Sequence, residues 1–236
     1  MGGDWVGASR LLCPFYATWC HVGRGKGMGG DWVGASRLPC WKHTSYIREK
    51  ILIEIVAYNE RWPVEFQRIS APLREALGEL ALRIDHIGST SVPGLAAKDI
   101  IDVQVTVAAL DAASIARALA PLGYTLREDI TDDHVPPGRN DSAQAWQKLY
   151  FRAPAEQRPT HLHVRQAGRA NQRYALLFRD YLRADPHVAR AYEQIKLALA
   201  RLHPEDIEAY YDIKDPACDL IMAAAERWAA QTNYKA

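Results

Sequence analysis

The chain reads as an α/β (α+β) protein, a core of mixed or antiparallel sheet with helices, followed by a C-terminal helical layer. Three observations carry that reading. Phe66, Ile69, Leu73, Leu77 and Leu80 recur at spacings of three and four, the stripe of an amphipathic helix packed on a sheet. Residues 99–107 then alternate, with Ile101, Val103, Val105 and Val107 apolar between polar Asp102, Gln104 and Thr106. From Tyr174 onward the chain carries further helical stripes. With 236 residues, 48% hydrophobic, 24% charged and a formal net charge of +1, it has the balance of a soluble globular protein and length for one good domain plus an appendage.

The elements follow in order. Residues 51–57 read as a first strand, and Pro63 sits where helix starts favour it, ahead of the Phe66 stripe. Residues 82–87 form the next strand and deliver a Gly88-Ser89 turn. In 99–107, Ile101, Val103, Val105 and Val107 share one face while Asp102, Gln104 and Thr106 share the other, which predicts a half-buried strand with its polar face toward a cleft or solvent. A helix over 108–119 ends at Pro121, and 123–127 is a short strand. Residues 131–142, with Asp132, Asp133, His134, Pro136, Pro137, Gly138 and Arg139, make a polar loop suited to covering a site. Residues 149–152 and 161–165 pair as a hairpin whose longer connection holds Pro154 and Pro159. Tyr174, Leu177, Phe178, Tyr181 and Leu182 form one helix. Asp185-Pro186 caps the next, through Val188, Tyr192, Ile195, Leu199 and Leu202, and a last helix starts at Asp215-Pro216 and runs through Trp228.

Composition narrows the partners. Lys and Arg are interleaved with Asp and Glu across 173–215, so the chain lacks the basic stripe of a polynucleotide binder. The apolar run 11–20 is too short to span a bilayer and no A-x-A-like cleavage site follows it, which points to a cytoplasmic protein with no membrane partner. Cys13, Cys20, Cys40 and Cys218 then read as free thiols. The segment from Met1 to Leu11 recurs unchanged from Met28 to Leu38, a signature of a misassigned start or a recent local duplication. Residues 1–44 are expected to be a poorly ordered extension, with the domain proper over 45–236. Within that extension, Gly25-Lys26-Gly27-Met28-Gly29-Gly30 formally fits G-x-G-x-x-G, but it lies on the duplication seam and no clear helix follows. Cys20, His21, Cys40 and His43 lack the paired spacing of a zinc site.

The most informative stretch is Asp85-His86-Ile87-Gly88-Ser89-Thr90-Ser91-Val92-Pro93-Gly94-Leu95, followed by Asp102. Gly88 allows backbone N–H groups to approach a phosphate, Ser89, Thr90 and Ser91 add hydroxyl donors, and a nearby carboxylate suits a metal. This stretch resembles the signature of GrpB (UPF0157) proteins, a branch of the nucleotidyltransferase superfamily. Pro159-Thr160-His161-Leu162-His163-Val164 and Phe178-Arg179-Asp180-Tyr181-Leu182-Arg183 resemble that family's later blocks, so the likeness covers roughly residues 46–230. It implies a nucleotidyltransferase-like core.

In the superfamily the resemblance points to, a Gly-Ser turn grips a nucleoside triphosphate while a D-x-D pair and a third acid on a neighbouring strand bind two Mg²⁺. The sequence departs from that pattern. Asp102 stands at the first acid position, but Gln104 occupies the second, and the later strand offers His161-x-His163 with Arg165 on the same face. Two arrangements answer to these residues. One is a single-metal site of Asp102, His161 and His163, with Mn²⁺ or Zn²⁺ favoured over paired Mg²⁺. The other is a phosphate-binding face on which His161, His163 and Arg165 act as donors. Lys148 ranks first among further phosphate contacts, ahead of Lys98, Arg127, Arg139 and Arg152, because alternation sets it beside Tyr150 and Arg152. The expected ligand is a nucleotide or another phosphorylated small molecule. The competing expectation is a noncatalytic binding or folding-assistance module, like the domain fused to dephospho-CoA kinase; the chain itself has no G-x-x-x-x-G-K-[ST] motif.

Overall fold

A computed structural model describes residues 52–235. The duplicated segment, its glycine motif, Cys13, Cys20, Cys40 and Ile51 lie outside the described residues.

Helix α1 (Trp62–Leu77) carries Pro63 in its first turn and buries Trp62, Phe66, Leu73 and Leu77. It leads into strand β1 (Ala81–Ile87), then the Gly88 turn, then β2 (Ile101–Val107). Helix α2 (Ala112–Leu119) begins later than the apolar run suggests, because Asp111 caps it by accepting from the Ser114 amide. Strand β3 (Thr125–Leu126) is brief, and β4 (Lys148–Arg152) and β5 (Thr160–Gln166) form the expected hairpin. Helices α3 (Ala170–Ala184), α4 (Pro186–Leu202) and α5 (Ile207–Thr232) make the C-terminal layer.

The strands form one mixed sheet in the order β1-β2-β5-β4-β3, in which only β2 and β5 run parallel. Its apolar face, with Val103, Val105, Phe151, Leu162 and Val164, packs against α1 and α2. The other face lies beneath α3, which clusters its own apolar side with α4 and α5 around Trp146, Tyr174 and Phe178. The α/β architecture read from the sequence is the one observed.

Three elements differ from expectation. Residues 52–57 contribute only an isolated bridge, Val56 to Ala97, because Leu52 points outward and Ile53 packs with Leu199 and Tyr210 instead of joining the sheet. Every residue of β2 is buried, its polar face included, since α3 and the polar face of β5 give it partners: Gln104 donates to the Gln172 carbonyl and accepts from Arg165, and Asp102 pairs with His161. The last helix starts two turns earlier than Asp215-Pro216: Asp206 caps it through the Ala209 amide, and Pro216 lies in its interior. Among the described residues no helix is long and apolar enough to cross a membrane.

Candidate functional site

Alternation and register bring the polar residues together. Asp102 pairs with His161 and Gln104 with His163 across the parallel β2/β5 ladder, while Tyr150 stands opposite His163 and Lys148 opposite Arg165 across β4/β5. Directly opposed residues share a face, so all of these side chains project from the side of the sheet beneath α3. Asp102, His161 and His163 each offer a ligand atom within 4.8 Å of the others. His161 Nδ1 lies 3.0 Å from Asp102 Oδ1. Asp102 Oδ2 and His163 Nε2 are buried and have no hydrogen-bond partner among the described residues.

Such a constellation suits a ligand that supplies what the protein withholds. Burial pushes the Asp102 carboxyl above its ordinary pKa, against the opposing pull of the His161 hydrogen bond and the Lys214 and Arg165 charges. A divalent cation at Oδ2 would favour the ionised form. Burial, with Arg165 and Lys148 nearby, holds His163 well below the usual imidazole range and therefore neutral.

The Gly88 turn abuts this cluster, with Gly88 at φ +71° and its α-carbon facing the Asp102 carboxylate. Thr90 Oγ1 donates to the Ile100 carbonyl and Ser91 Oγ to the Gly88 carbonyl, so those two hydroxyls work inward. Ser89 is left as the hydroxyl not used to shape the turn. His86, buried and stacked on Phe66, bonds Thr90 at 3.0 Å, and Arg179 and Arg183 donate to the His86 and Ser91 carbonyls. Asp85 on the opposite face engages Arg83.

Lys148 and Arg165 are fully enclosed and share one acid, Asp133. Lys148 Nζ reaches Asp133 Oδ1 at 2.6 Å; Arg165 Nε reaches Oδ2 at 2.7 Å and Arg165 Nη2 reaches Oδ1 at 3.0 Å. Asn171 adds a bond to Asp133 Oδ2. Burial alone would raise the Asp133 carboxyl, but the two cations more than offset it and hold it low. Gln104 is equally committed, accepting from Arg165 Nη1 at 2.6 Å and donating to the Gln172 carbonyl. Of the remaining sequence candidates, Arg127 pairs with Asp129 and Arg139 with Asp141; Arg152 is exposed at the end of β4, opposite His161; and Lys98 stacks over Tyr210 near Asp102, its pKa lowered to about 8 by burial and the Lys214 charge against the pull of Asp102.

Sequence reasoning passed over Asp133 and gave Tyr150 no role. The signal for Asp133 was present, since two cations on one face of neighbouring interior strands require an acid. Tyr150 carried no signal of its own beyond alternation.

The GrpB protein family model matches residues 52–224. A dephospho-CoA kinase of Mycolicibacterium paratuberculosis is 36% identical over 196 residues, covering 78% of this chain and 48% of that protein. A UPF0157 protein of Streptomyces coelicolor is 36% identical over 180 residues, 76% of this chain and 86% of the relative. The chain thus spans about half the length of the dephospho-CoA kinases it matches. The crystal structure of conserved protein GrpB from Enterococcus faecalis superposes with a TM-score of 0.61 at 30% identity, covering 74% of this chain and 99% of that one.

Proposed function

The chain belongs to the GrpB family, and from that premise we propose that it binds a nucleotide or another phosphorylated small molecule between the Gly88 turn and the Asp102 cluster, with a divalent metal, and that nucleotidyl transfer is the reaction so served. The observation that supports this most is the pair of buried, unpartnered atoms Asp102 Oδ2 and His163 Nε2 on adjacent strands beside the turn. Leaving each orphaned costs on the order of 1–3 kcal/mol, which a ligand meeting both would return.

Gly88 and Ser89 would take phosphate oxygens, with Thr90 and Ser91 keeping the turn in shape. Asp102 would hold a metal, with His161 and His163 completing the site or contacting the ligand, and mixed oxygen and imidazole donors favour Mn²⁺ or Zn²⁺ over paired Mg²⁺. Such an ion would polarise a phosphoryl oxygen. Lys148 and Arg165 serve this reading through Asp133 and His163. The partners are small molecules, not nucleic acid or membrane, and the setting is the cytoplasm, where nucleotides are held.

A second reading is favoured by Gln104. An amide stands where a second acid would, buried and hydrogen-bonded at both its oxygen and its nitrogen, as in a noncatalytic binding or folding-assistance module like the half of a dephospho-CoA kinase that the chain resembles.

Calorimetric titration of the whole chain with ATP, GTP, CTP and dephospho-CoA, with and without Mn²⁺, Zn²⁺ or Mg²⁺, separates the two. Metal-dependent binding lost in Asp102→Ala supports the transferase. Binding that ignores metal and survives Asp102→Ala supports the module. Silence from every ligand retires the transferase and makes the folding-assistance module the reading to pursue.

A further inference from the structure

The two imidazoles of the cluster are set in opposite senses. His161 directs Nδ1 at Asp102 Oδ1, 3.0 Å away; the carboxylate accepts, so the proton is on Nδ1 and Nε2 carries the lone pair. His163 directs Nδ1 at Arg165 Nη2, 3.3 Å away. A guanidinium only donates, so this Nδ1 accepts and the neutral ring keeps its proton on Nε2. Arg165 cannot turn aside, because Asp133 takes its Nε and Nη2 and Gln104 its Nη1. For Nε2 to meet a cation, the proton would have to move to Nδ1 and confront a group with nothing to accept it.

Tyr150 adds a second group of the same kind. It stands opposite His163, fully buried, with its ring 5.7 Å from the His161 ring and 5.2 Å from that of His163. Its Oη has no hydrogen-bond partner among the described residues. A phenol titrates at about pH 10 in water, so at neutral pH it is a donor.

We propose that His163 Nε2–H and Tyr150 Oη–H are two uncharged donors for an anionic phosphoryl oxygen of the ligand, and that the metal falls to Asp102 and His161. The inference rests on the reading above and divides its cluster into a cation half and an anion half. A phosphoryl oxygen accepts two charge-assisted hydrogen bonds there, whereas a cation would meet two N–H or O–H dipoles by their positive ends. Asp133 and Arg165 are then positioning residues, acting by fixing which nitrogen of His163 holds the proton.

The test uses the full chain labelled with ¹⁵N-histidine, and ATP and Mn²⁺ as separate calorimetric probes. Long-range ¹H–¹⁵N correlations are expected to show His163 protonated at Nε2 without any ligand, and Asp133→Asn to loosen that preference. Tyr150→Phe keeps the ring and should weaken ATP about tenfold, the worth of one such bond, with Mn²⁺ affinity unchanged. His161→Gln should lose Mn²⁺, and His163→Gln, which retains an N–H, should keep it. An Nδ1-protonated His163, Tyr150→Phe without effect on ATP, or loss of Mn²⁺ in His163→Gln equal to that in His161→Gln overturns the inference while ATP binding by the native chain preserves the broader reading. Failure of the native chain to bind ATP, GTP, CTP or dephospho-CoA, with or without Mn²⁺, overturns both.

Discussion

Gly88 and Asp102 meet where a side chain would otherwise stand: a Cβ on Gly88 would fall 2.2 Å from Asp102 Oδ2 and 2.9 Å from Asp102 Cβ. The same glycine holds φ at +71°, a conformation L side chains rarely adopt. The turn and the acid are therefore one unit, because the strand can present Asp102 to the cluster only while the turn above it has no side chain.

Gly88→Ala should consequently cost both conformation and contact, about 2–4 kcal/mol in unfolding free energy, and should abolish ligand binding by displacing the carboxylate. Gly94→Ala is the control. Gly94 has φ +78° with nothing within 4 Å of the added methyl, so only the conformational cost applies, about 1 kcal/mol. Denaturant unfolding of the two variants checks this, and equal losses would mean the Asp102 contact is unimportant.

Asp133 neutralises two enclosed cations, so Asp133→Asn leaves Lys148 and Arg165 buried without their counter-charge. A loss of about 3–5 kcal/mol is expected. The carboxyl sits below its ordinary pKa, so its stabilising effect is complete above the unfolded value, about 4, and disappears as pH falls through the lower folded value. Native and variant urea midpoints should therefore converge below about pH 4. Curves that stay a constant distance apart would assign the loss to packing instead.

Much of this was readable from alternation. The parity of 101–107 put Asp102, Gln104 and Thr106 on one face of their strand and that of 161–165 put His161, His163 and Arg165 on one face of theirs, and the ladder makes the two one continuous polar face. What alternation cannot give is which strands become neighbours: β2 and β5 pair across more than fifty intervening residues, by tertiary packing alone. Nor can it tell a polar face in water from one beneath a helix. Gln104 read as facing a cleft or solvent because its partners, Gln172 and Arg165, are distant in sequence. Asp215-Pro216 imitated a helix start, yet burial of Tyr210, Lys214 and Cys218 on both sides of the proline outweighs the roughly 3 kcal/mol that an interior proline costs.

The true start of α5 is testable. Asp206 accepts from the Ala209 amide at 2.9 Å, so Asp206→Ala should lower stability by about 1 kcal/mol, a fall in melting temperature of about 2–4 °C for a chain of this size. Hydrogen exchange should quicken over 207–210 and not over 216–219. Faster exchange confined to the later segment would restore the Asp215 start.

His86 makes the Gly88 turn sensitive to acid. Its ring stacks on Phe66 with centroids 4.8 Å apart and bonds Thr90 through Nε2. Burial first, then the Arg183 and Arg179 charges, lower its pKa to about 3, while in the unfolded chain it titrates near 6.5. Between those values the unfolded chain takes up a proton that the native ring refuses, so stability falls as pH drops through the window, by up to about 1.4 kcal/mol per pH unit. Above pH 6.5 the term vanishes. Glutamine keeps a donor toward Thr90 but cannot titrate, so native protein should lose about 2.5 kcal/mol more than His86→Gln between pH 7 and 4.5. Other titrating groups are common to both chains and cancel in that difference. Parallel profiles would mean that the native ring takes up its proton in place and that the His86 bond to Thr90 is not what makes the turn sensitive to acid.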